Sequence, residues 1–407
     1  MARDKVISAI DVGSNKVTTV VASVDSEGGA SVIGVSTVPS TGLRKGQVVD
    51  IEAAVAAIST GVDAAERMAG LTIGSAFVSV GGAHIQSQNS KGVVAVAEPE
   101  GEITNVDIKR VTDAARAISI PSSREILHVI PRGYIVDGQE GIKDPVGMTG
   151  VRLEVETQIV TGATTTIRNL AKCISEIGVD IDGLVYSGLA SSYATLSETE
   201  KELGVILVDI GAGTTDVAIY IDGALSYSSV IPIGAKNVTN DLAIGLRVSL
   251  ESAEKIKLAL GTKPKFAVEK SKEADELDAT SLGLTEDLKK VSRKTLIEGI
   301  IKPRLSEVFT YVGMELQKSE LSGLTPSGLV ITGGGAETIG ILDIARSRLV
   351  MPCRIGTPAG LTGLVDEISH PKFATAYGLI LYGLENGVAQ KSAGLPKFPG
   401  FASMTSK

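Results

Sequence analysis

One turn is written twice in this chain. Near the N-terminus an apolar run, Val6-Ile7-Ser8-Ala9-Ile10, ends in Asp11-Val12-Gly13-Ser14-Asn15-Lys16. In mid-chain Val205-Ile206-Leu207-Val208 ends in Asp209-Ile210-Gly211-Ala212-Gly213-Thr214-Thr215-Asp216. A second β-rich run follows each, residues 17–22 and 217–220. Both read as a hairpin whose tip presents backbone N–H groups and small hydroxyl side chains. Asp and Gly are ordinary hairpin residues, so one copy says little. Two copies restrict the chain to folds built from a pair of related units, and two such tips facing each other hold a polyphosphate from both sides.

A length of 407 residues allows two or three domains around large cores. Aromatics total 3%, Trp is absent and the net charge is -8. That leaves little to stack on bases or attract a phosphate backbone, so a nucleic-acid partner is not expected. Cys173 and Cys353 each lie in an apolar segment and read as reduced core thiols. His84, His128 and His370 lack metal-ligand spacing, so no metal cluster of protein side chains is expected. No signal-peptide pattern and no membrane-length apolar run occur, so a soluble or peripheral protein is expected.

Along the chain, residues 48–69 read as a helix, with Ile51, Val55, Ile58, Val62 and Ala65 near a 3.6-residue period, and residues 73–80 as a strand. Residues 83–162 differ in texture. A strand at 92–97 and a turn at 98–101 precede a helix at 104–118, capped by Thr104 or Asn105. Strands at 125–131, 133–136 and 152–161 complete an inserted α+β unit. After the second hairpin comes a third strand at 226–231. Helices at 237–243 and 250–260, a charged and partly mobile loop at 263–290 and a helical stretch at 292–318 follow. A strand at 328–332 meets Gly333-Gly334-Gly335-Ala336, where bare backbone and a helix N-terminus suit a ribose, a base and an α-phosphate. The last helix spans 373–383, ahead of a tail rich in Gly, Pro and Ser.

The order of two phosphate hairpins and a GGGA turn resembles the superfamily of actin, heat-shock chaperones and sugar kinases. The segment His128-Val129-Ile130-Pro131, Tyr134 to Ile142, and Asp144-Pro145-Val146-Gly147-Met148-Thr149-Gly150-Val151-Arg152-Leu153-Glu154 is absent from those groups and resembles the FtsA family of bacterial cell-division proteins. Ser187 to Tyr193 and Arg354-Ile355-Gly356-Thr357-Pro358 fit the same family. The resemblance covers about residues 5–388.

It implies an α/β, actin-like two-domain fold with duplicated mixed-sheet cores, an FtsA-type IC insertion and a IIB insertion. The expected subdomains are IA (1–82, 163–200, 370–390), IC (83–162), IIA (201–232, 305–369) and IIB (233–304), with a flexible tail at 391–407. It implies ATP in the cleft, held on the phosphate side by Gly13, Ser14, Asn15, Lys16, Asp209, Gly211, Ala212, Gly213 and Thr214. The nucleoside side falls to Gly333, Gly334, Gly335 and Ala336. Glu254 and Lys257 stand where relatives hold ribose and base, though their spacing equally describes an exposed i,i+3 charge pair. Asp11 and Asp209 are expected to orient magnesium through water, since magnesium touches few carboxylates.

The resemblance also implies head-to-tail self-assembly, division partners on IC, and the FtsZ C-terminal tail on IIB. There Lys289, Lys290, Arg293, Lys294 and Arg304 lie near Leu296, Ile297 and Ile300. Arg293 and Arg304, with Asn237 across the groove, match the family best. Relatives reach the inner face of the cytoplasmic membrane at the division site through a C-terminal amphipathic helix. Residues 391–407 read instead as linker, and truncation before such an anchor is the expectation. Where actin and the chaperones carry a water-orienting Gln or Glu, this chain carries Ser187, with no acidic residue following until Glu198. At most slow ATP turnover is therefore expected. A PilM-like pilus component is the alternative within the fold. A sugar or acetate kinase would need a carboxylate where Ser187 stands.

Overall fold

Two sheets repeat one topology. The first orders its strands Asp180–Tyr186, Ser75–Val80, Lys5–Val12, Lys16–Val24, Ala30–Pro39 and Thr362–Gly363. The second orders Ala224–Ile231, Thr215–Ile221, Val205–Ile210, Leu329–Thr332 and Cys353–Ile355. In each, a central strand pairs antiparallel with the next strand in sequence and parallel with its other neighbour. The computed structural model describes residues 5–97, 101–261 and 275–390.

Central strands covered on both faces need near-continuous apolar sequence, and all six residues of Val205–Ile210 are buried. Each of the two carries a carboxylate at its penultimate position, Asp11 in one central strand and Asp209 in the other. Both carboxylates thus stand at the carboxyl ends of central strands, where open α/β sheets place their ligands. One apolar core runs from the first sheet into the second through Leu207, Ala218, Tyr220 and Val330. A second lies between the five-stranded sheet and the helices Ala235–Leu246, Leu250–Gly261 and Lys302–Lys318.

The insertion is a four-stranded sheet, Gln86–Ala95, Arg152–Ala163, Arg124–Val136 and Gln139–Ile142, packed on the helix Asn105–Arg116 with its own small core. Thr104 is the cap, and Asp107 closes a capping box. The fully buried Asp107 carboxylate accepts from Thr104 N (3.1 Å), Thr104 Oγ1 (2.8 Å), Ala97 N (3.2 Å) and Arg110 Nη1 (2.9 Å). Asp107→Ala strands these donors and is expected to destabilise the insertion by about 1–3 kcal/mol. Hydrogen exchange across residues 105–116 checks this; unchanged protection would show the box dispensable.

Several expectations need correction. The first long helix is Ile51–Ala69, because Asp50 caps it and Val48 belongs to the short strand Gln47–Val48. The strands expected at 125–131 and 133–136 are one, Arg124–Val136. Its register shift between Glu156 and Thr157 leaves Arg132 as the extra residue of a bulge, so Pro131 and Gly133 bend the strand without ending it. The stretch from 292 is Arg293–Leu296, a π turn at Ile297–Ile301, then Lys302–Lys318; Pro303 has no N–H to continue the α ladder.

The last helix runs Ala374–Gln390, past the expected end at 383. Gly383 is there for close approach, since a Cβ on it would meet Phe77 Cε2 at 2.7 Å. Of the loop expected at 263–290, residues 275–290 include the strand Glu276–Asp278, paired with Lys290–Ser292. The remainder up to 274, the turn at 98–100 and the tail at 391–407 lie outside the described residues. Cys173 and Cys353 are buried free thiols, as expected. Among the described residues no helix is long and apolar enough to cross a membrane.

Candidate functional site

The two hairpin tips have the same internal construction. Gly13 N–H donates to Lys16 O at 3.1 Å, and Gly211 N–H donates to Thr214 O at 2.9 Å. The tips also meet: a Cβ on Gly213 would lie 3.3 Å from Ser14 Oγ and 3.1 Å from Lys45 Cα. Ser14 Oγ accepts from Gly46 N–H at 2.8 Å, tying the 42–46 loop to the first tip. Behind the second tip, Ala235 N–H and Lys236 N–H donate to Gly211 O and Ala212 O, both at 2.9 Å.

These parts enclose a cleft of about 810 Å³. Its walls include Asp11, Gly13, Ser14, Asn15, Lys16, Asp209, Gly211, Ala212, Gly213 and Thr214, with Glu254, Lys257 and Gly333, Gly334 and Gly335. Ser187 also lines it, at the start of the helix Ser187–Thr195. Ala336 does not; it is buried in the core behind the wall. The glycine triplet enters a single 3-10 turn, Gly334–Glu337, and the α-helix begins only at Ile341. The expected α-helix N-terminus at this wall is thereby corrected. Glu254 and Lys257 form an ion pair of 2.7 Å. Thr239 Oγ1 donates to Glu254 Oε2 at 2.5 Å and lies 3.0 Å from Lys257 Nζ. The charge pair lines the cleft, and its Lys257 side chain is only 12% exposed rather than out on a solvated face.

Burial dominates the electrostatics. Asp11 and Asp209 are both shifted up by desolvation, Asp209 to about 6, despite help from hydroxyls. Ser79 Oγ donates to Asp11 Oδ1 at 2.8 Å and Thr375 Oγ1 to Asp209 Oδ2 at 3.2 Å. Desolvation lowers Lys16 to about 8 against the pull of Asp11. Its Nζ is buried, has no hydrogen-bond partner among the described residues, and lies 3.5 Å from the Phe373 ring centroid. Among the described residues no three His, Cys, Asp or Glu converge on one point, and the cleft's carboxylates at the strand ends, Asp11 and Asp209, are of the oxygen type that suits a magnesium ion held through its waters.

Sequence reasoning missed other cleft residues: Asp216, Lys236, Thr239, Glu337, Lys372, Phe373 and Thr375. Asp216 had a usable signal, because hairpin register sets it directly opposite Asp209. It lines the same cleft as Ser187 although it lies 29 positions further along the chain. Thr375 and Phe373 come from the last helix region and carried no local signal.

The three expected partner residues lie outside this cleft. Arg304 binds Asp241 with both arms (2.6 and 2.9 Å) and also Glu307. Asp241 is one turn beyond Asn237 on the helix Ala235–Leu246, so these two meet at one helix contact. Asn237 Oδ1 accepts from Gly234 N–H at 3.1 Å, while Arg293 donates to Leu260 O at 2.7 Å, across a different contact.

Residues 82–161 match the family described as SHS2 domain inserted in FTSA, and residues 206–378 that described as Cell division protein FtsA. Over 383 residues the chain is 41% identical to Cell division protein FtsA of Pseudomonas aeruginosa, covering 94% of this chain and 90% of that one. The chain belongs to the FtsA family of cell division proteins. Its actin-like fold is shared with FtsA-unlike sequences. A chain of the PilM-PilN type IV pilus biogenesis complex superposes with a TM-score of 0.65 over 93% of this chain and 98% of that one, at 15% identity. MreB 5 of Spiroplasma citri, solved bound to AMPPNP, gives 0.56 over 96% and 99%, also at 15%. At that identity the likeness is one of fold, and the FtsA family takes precedence over the PilM-like alternative.

Proposed function

We propose that the cleft binds ATP with magnesium and that the nucleotide sets the relative orientation of the two halves for assembly. The observation that carries this reading is the pair of like-built tips beside a buried Lys16 ammonium that has no hydrogen-bond partner among the described residues. Such a cation costs stability unless an anion joins it. A triphosphate between the tips meets backbone N–H groups and the Ser14 and Thr214 hydroxyls, with Lys16 beside it. Asp11 and Asp209 would hold magnesium through its waters, and the ion would neutralise phosphate charge. Gly333, Gly334 and Gly335 leave the opposite wall bare for the nucleoside. Ser187 offers a weak hold on an attacking water, so turnover stays below about 1 s⁻¹, the low end of enzyme rates.

Family membership supports the wider proposal. The chain assembles head to tail, docks the FtsZ C-terminal tail on residues 233–304, meets other division proteins through the insertion, and works at the inner membrane face. The subdomain limits expected from sequence are part of this proposal. Equilibrium binding of a fluorescent ATP analogue tests the cleft; no binding at millimolar nucleotide would refute it. For the docking face, Arg304→Gln keeps the stem and removes the charge that Asp241 and Glu307 hold in place. It is expected to weaken binding of an FtsZ tail peptide about tenfold. Retained affinity would remove this face as the docking site.

A further inference from the structure

Among the described residues, three β-hairpins close on two-residue turns in which both residues have positive φ, the mirror-image turn that suits twisted strand pairs. Two of them use Asp-Gly, at Asp137-Gly138 (φ +48° and +89°) and Asp222-Gly223 (φ +53° and +86°). The third, Lys45-Gly46 (φ +49° and +75°), joins the short strands Leu43–Arg44 and Gln47–Val48. Asn, Asp and Gly tolerate the left-handed first position best, so a lysine there gives up local stability. A strained residue of this kind points to a use for its side chain.

The use follows from where the turn sits, between the two phosphate tips. Gly46 N–H donates to Ser14 Oγ of the first tip at 2.8 Å. A Cβ on Gly213 of the second would lie 3.1 Å from Lys45 Cα and 3.3 Å from Lys45 N. On its other side the turn leans on Gly81 and Gly82. A Cβ on Gly46 would meet Gly81 O at 2.5 Å, and one on Gly82 would meet Lys45 O at 2.9 Å. The backbone of Lys45 is thus fixed, while its side chain is exposed and has no hydrogen bond or ion pair among the described residues. Its flexible four-carbon stem can bring the ammonium over whatever Ser14 and Gly213 hold. The glycine triplet sets the direction of that ligand. Gly333 and Gly335 pack on Asp209 and Ile210 at the root of the second hairpin, whereas Gly213 lies in its tip. A nucleotide laid from that wall toward the tip carries its last phosphate to the place where Gly213, Ser14 and Lys45 meet.

Resting on the nucleotide reading above, we propose that Lys45 binds the terminal phosphate of a nucleoside triphosphate and so tells it from a diphosphate. Its ammonium supplies positive charge from the rim of the cleft, where Lys16 supplies it from the buried side. The Ser14 hydroxyl receives Gly46 N–H and keeps its own hydrogen for the phosphate, so the first tip both contacts the ligand and holds the turn that carries Lys45. A diphosphate ends short of this point and leaves the ammonium hydrated. The discrimination is modest, because an exposed ammonium gains less from its partner than a buried one.

The test is Lys45→Asn in the full chain, because Asn favours this turn and the hairpin survives the loss of charge. Equilibrium titration is expected to show ATP binding weakened about tenfold and ADP binding within about twofold of the unsubstituted chain. Lys45→Arg is expected to keep the preference for ATP. Equal loss for both nucleotides, or no loss for either, overturns the assignment. So does a Lys45→Arg chain as weak as Lys45→Asn, since the charge would then not be what the phosphate meets. An unsubstituted chain that binds neither nucleotide overturns the nucleotide reading and this inference with it; ATP binding that Lys45→Asn leaves untouched sinks the inference alone. Should the hairpin of the variant fold differently, the unsubstituted chain crystallised with a non-hydrolysable ATP analogue decides. Lys45 Nζ within hydrogen-bond distance of a γ-phosphate oxygen is the expected result, and an Nζ turned to solvent refutes it.

Discussion

Gly334→Asp is expected to leave the fold intact and to lower ATP affinity at least about 10²-fold, as a like charge set against phosphate costs several kcal/mol. The three adjacent glycines differ in what a side chain would meet. On Gly333, whose φ is +82°, a Cβ would sit 2.2 Å from Asp209 Oδ1 and 2.6 Å from Ile210 O. On Gly335 it would sit 2.3 Å from Ile210 Cγ2 and 2.9 Å from Ile210 O. On Gly334 the nearest atom is Lys372 Cβ at 3.7 Å, an ordinary contact, and the rest of the direction is cleft. Gly333 and Gly335 are therefore glycine for the fold and Gly334 for the ligand. Gly335→Asp serves as the contrast. It is expected to depress the melting temperature by several degrees through overpacking, whereas Gly334→Asp moves it little. Thermal denaturation beside nucleotide titration separates the two. Wild-type affinity in Gly334→Asp would mean that the nucleoside lies elsewhere.

The contrast shows which parts of this molecule a single sequence reveals. The doubled Asp-x-Gly turn was legible because hairpin chemistry is local: a strand, a tip and a return strand lie within a dozen positions. Gly333-Gly334-Gly335 was legible as bare backbone, but their division of labour depends on Ile210 and Asp209, more than a hundred positions earlier. Ala336 shares the motif and yet turns into the core, since a 3-10 turn rotates each residue by a third of a circle. Asp216 was overlooked although register arithmetic places it opposite Asp209, because strand face was not carried through the turn. The Arg304 contact with Asp241 depends on which helix faces lie together, and charge along one helix does not report that. The helix ends expected at 48 and 383 shift for two separate local reasons: Asp50 caps the first helix against the apolar period, and Gly383 serves packing against Phe77 rather than termination.

Lys16→Met is expected to make the ligand-free chain more stable and to make nucleotide binding about 10²-fold weaker. Lys16 is shifted from 10.5 to about 8, chiefly by burial, and this net value already includes the favourable pull of Asp11 and Asp209. Folding therefore disfavours its charged form by about 3 kcal/mol, at 1.36 kcal/mol per unit. Below about pH 8 the folded and unfolded chains both carry the proton, and the full penalty stands. Between about 8 and 10.5 the folded chain has released it while the unfolded chain retains it, so stability climbs with pH. Above that window both are neutral and the penalty is gone. Met fills the same space over Phe373 without a charge, so its variant should lie above the parent at pH 7 and lose this particular climb. With nucleotide present the order reverses: a triphosphate stabilises the parent by mass action and the variant hardly at all. Melting curves at pH 7 and pH 10, with and without ATP, contain the whole test. A variant less stable than the parent at pH 7 without nucleotide would mean that the Lys16 ammonium already has its counter-charge. The cleft would then have no unmet demand for phosphate. If the crossover does occur, the same buried cation that weakens the empty chain is what ties its stability to the nucleotide, as a group kept for binding at the expense of folding should.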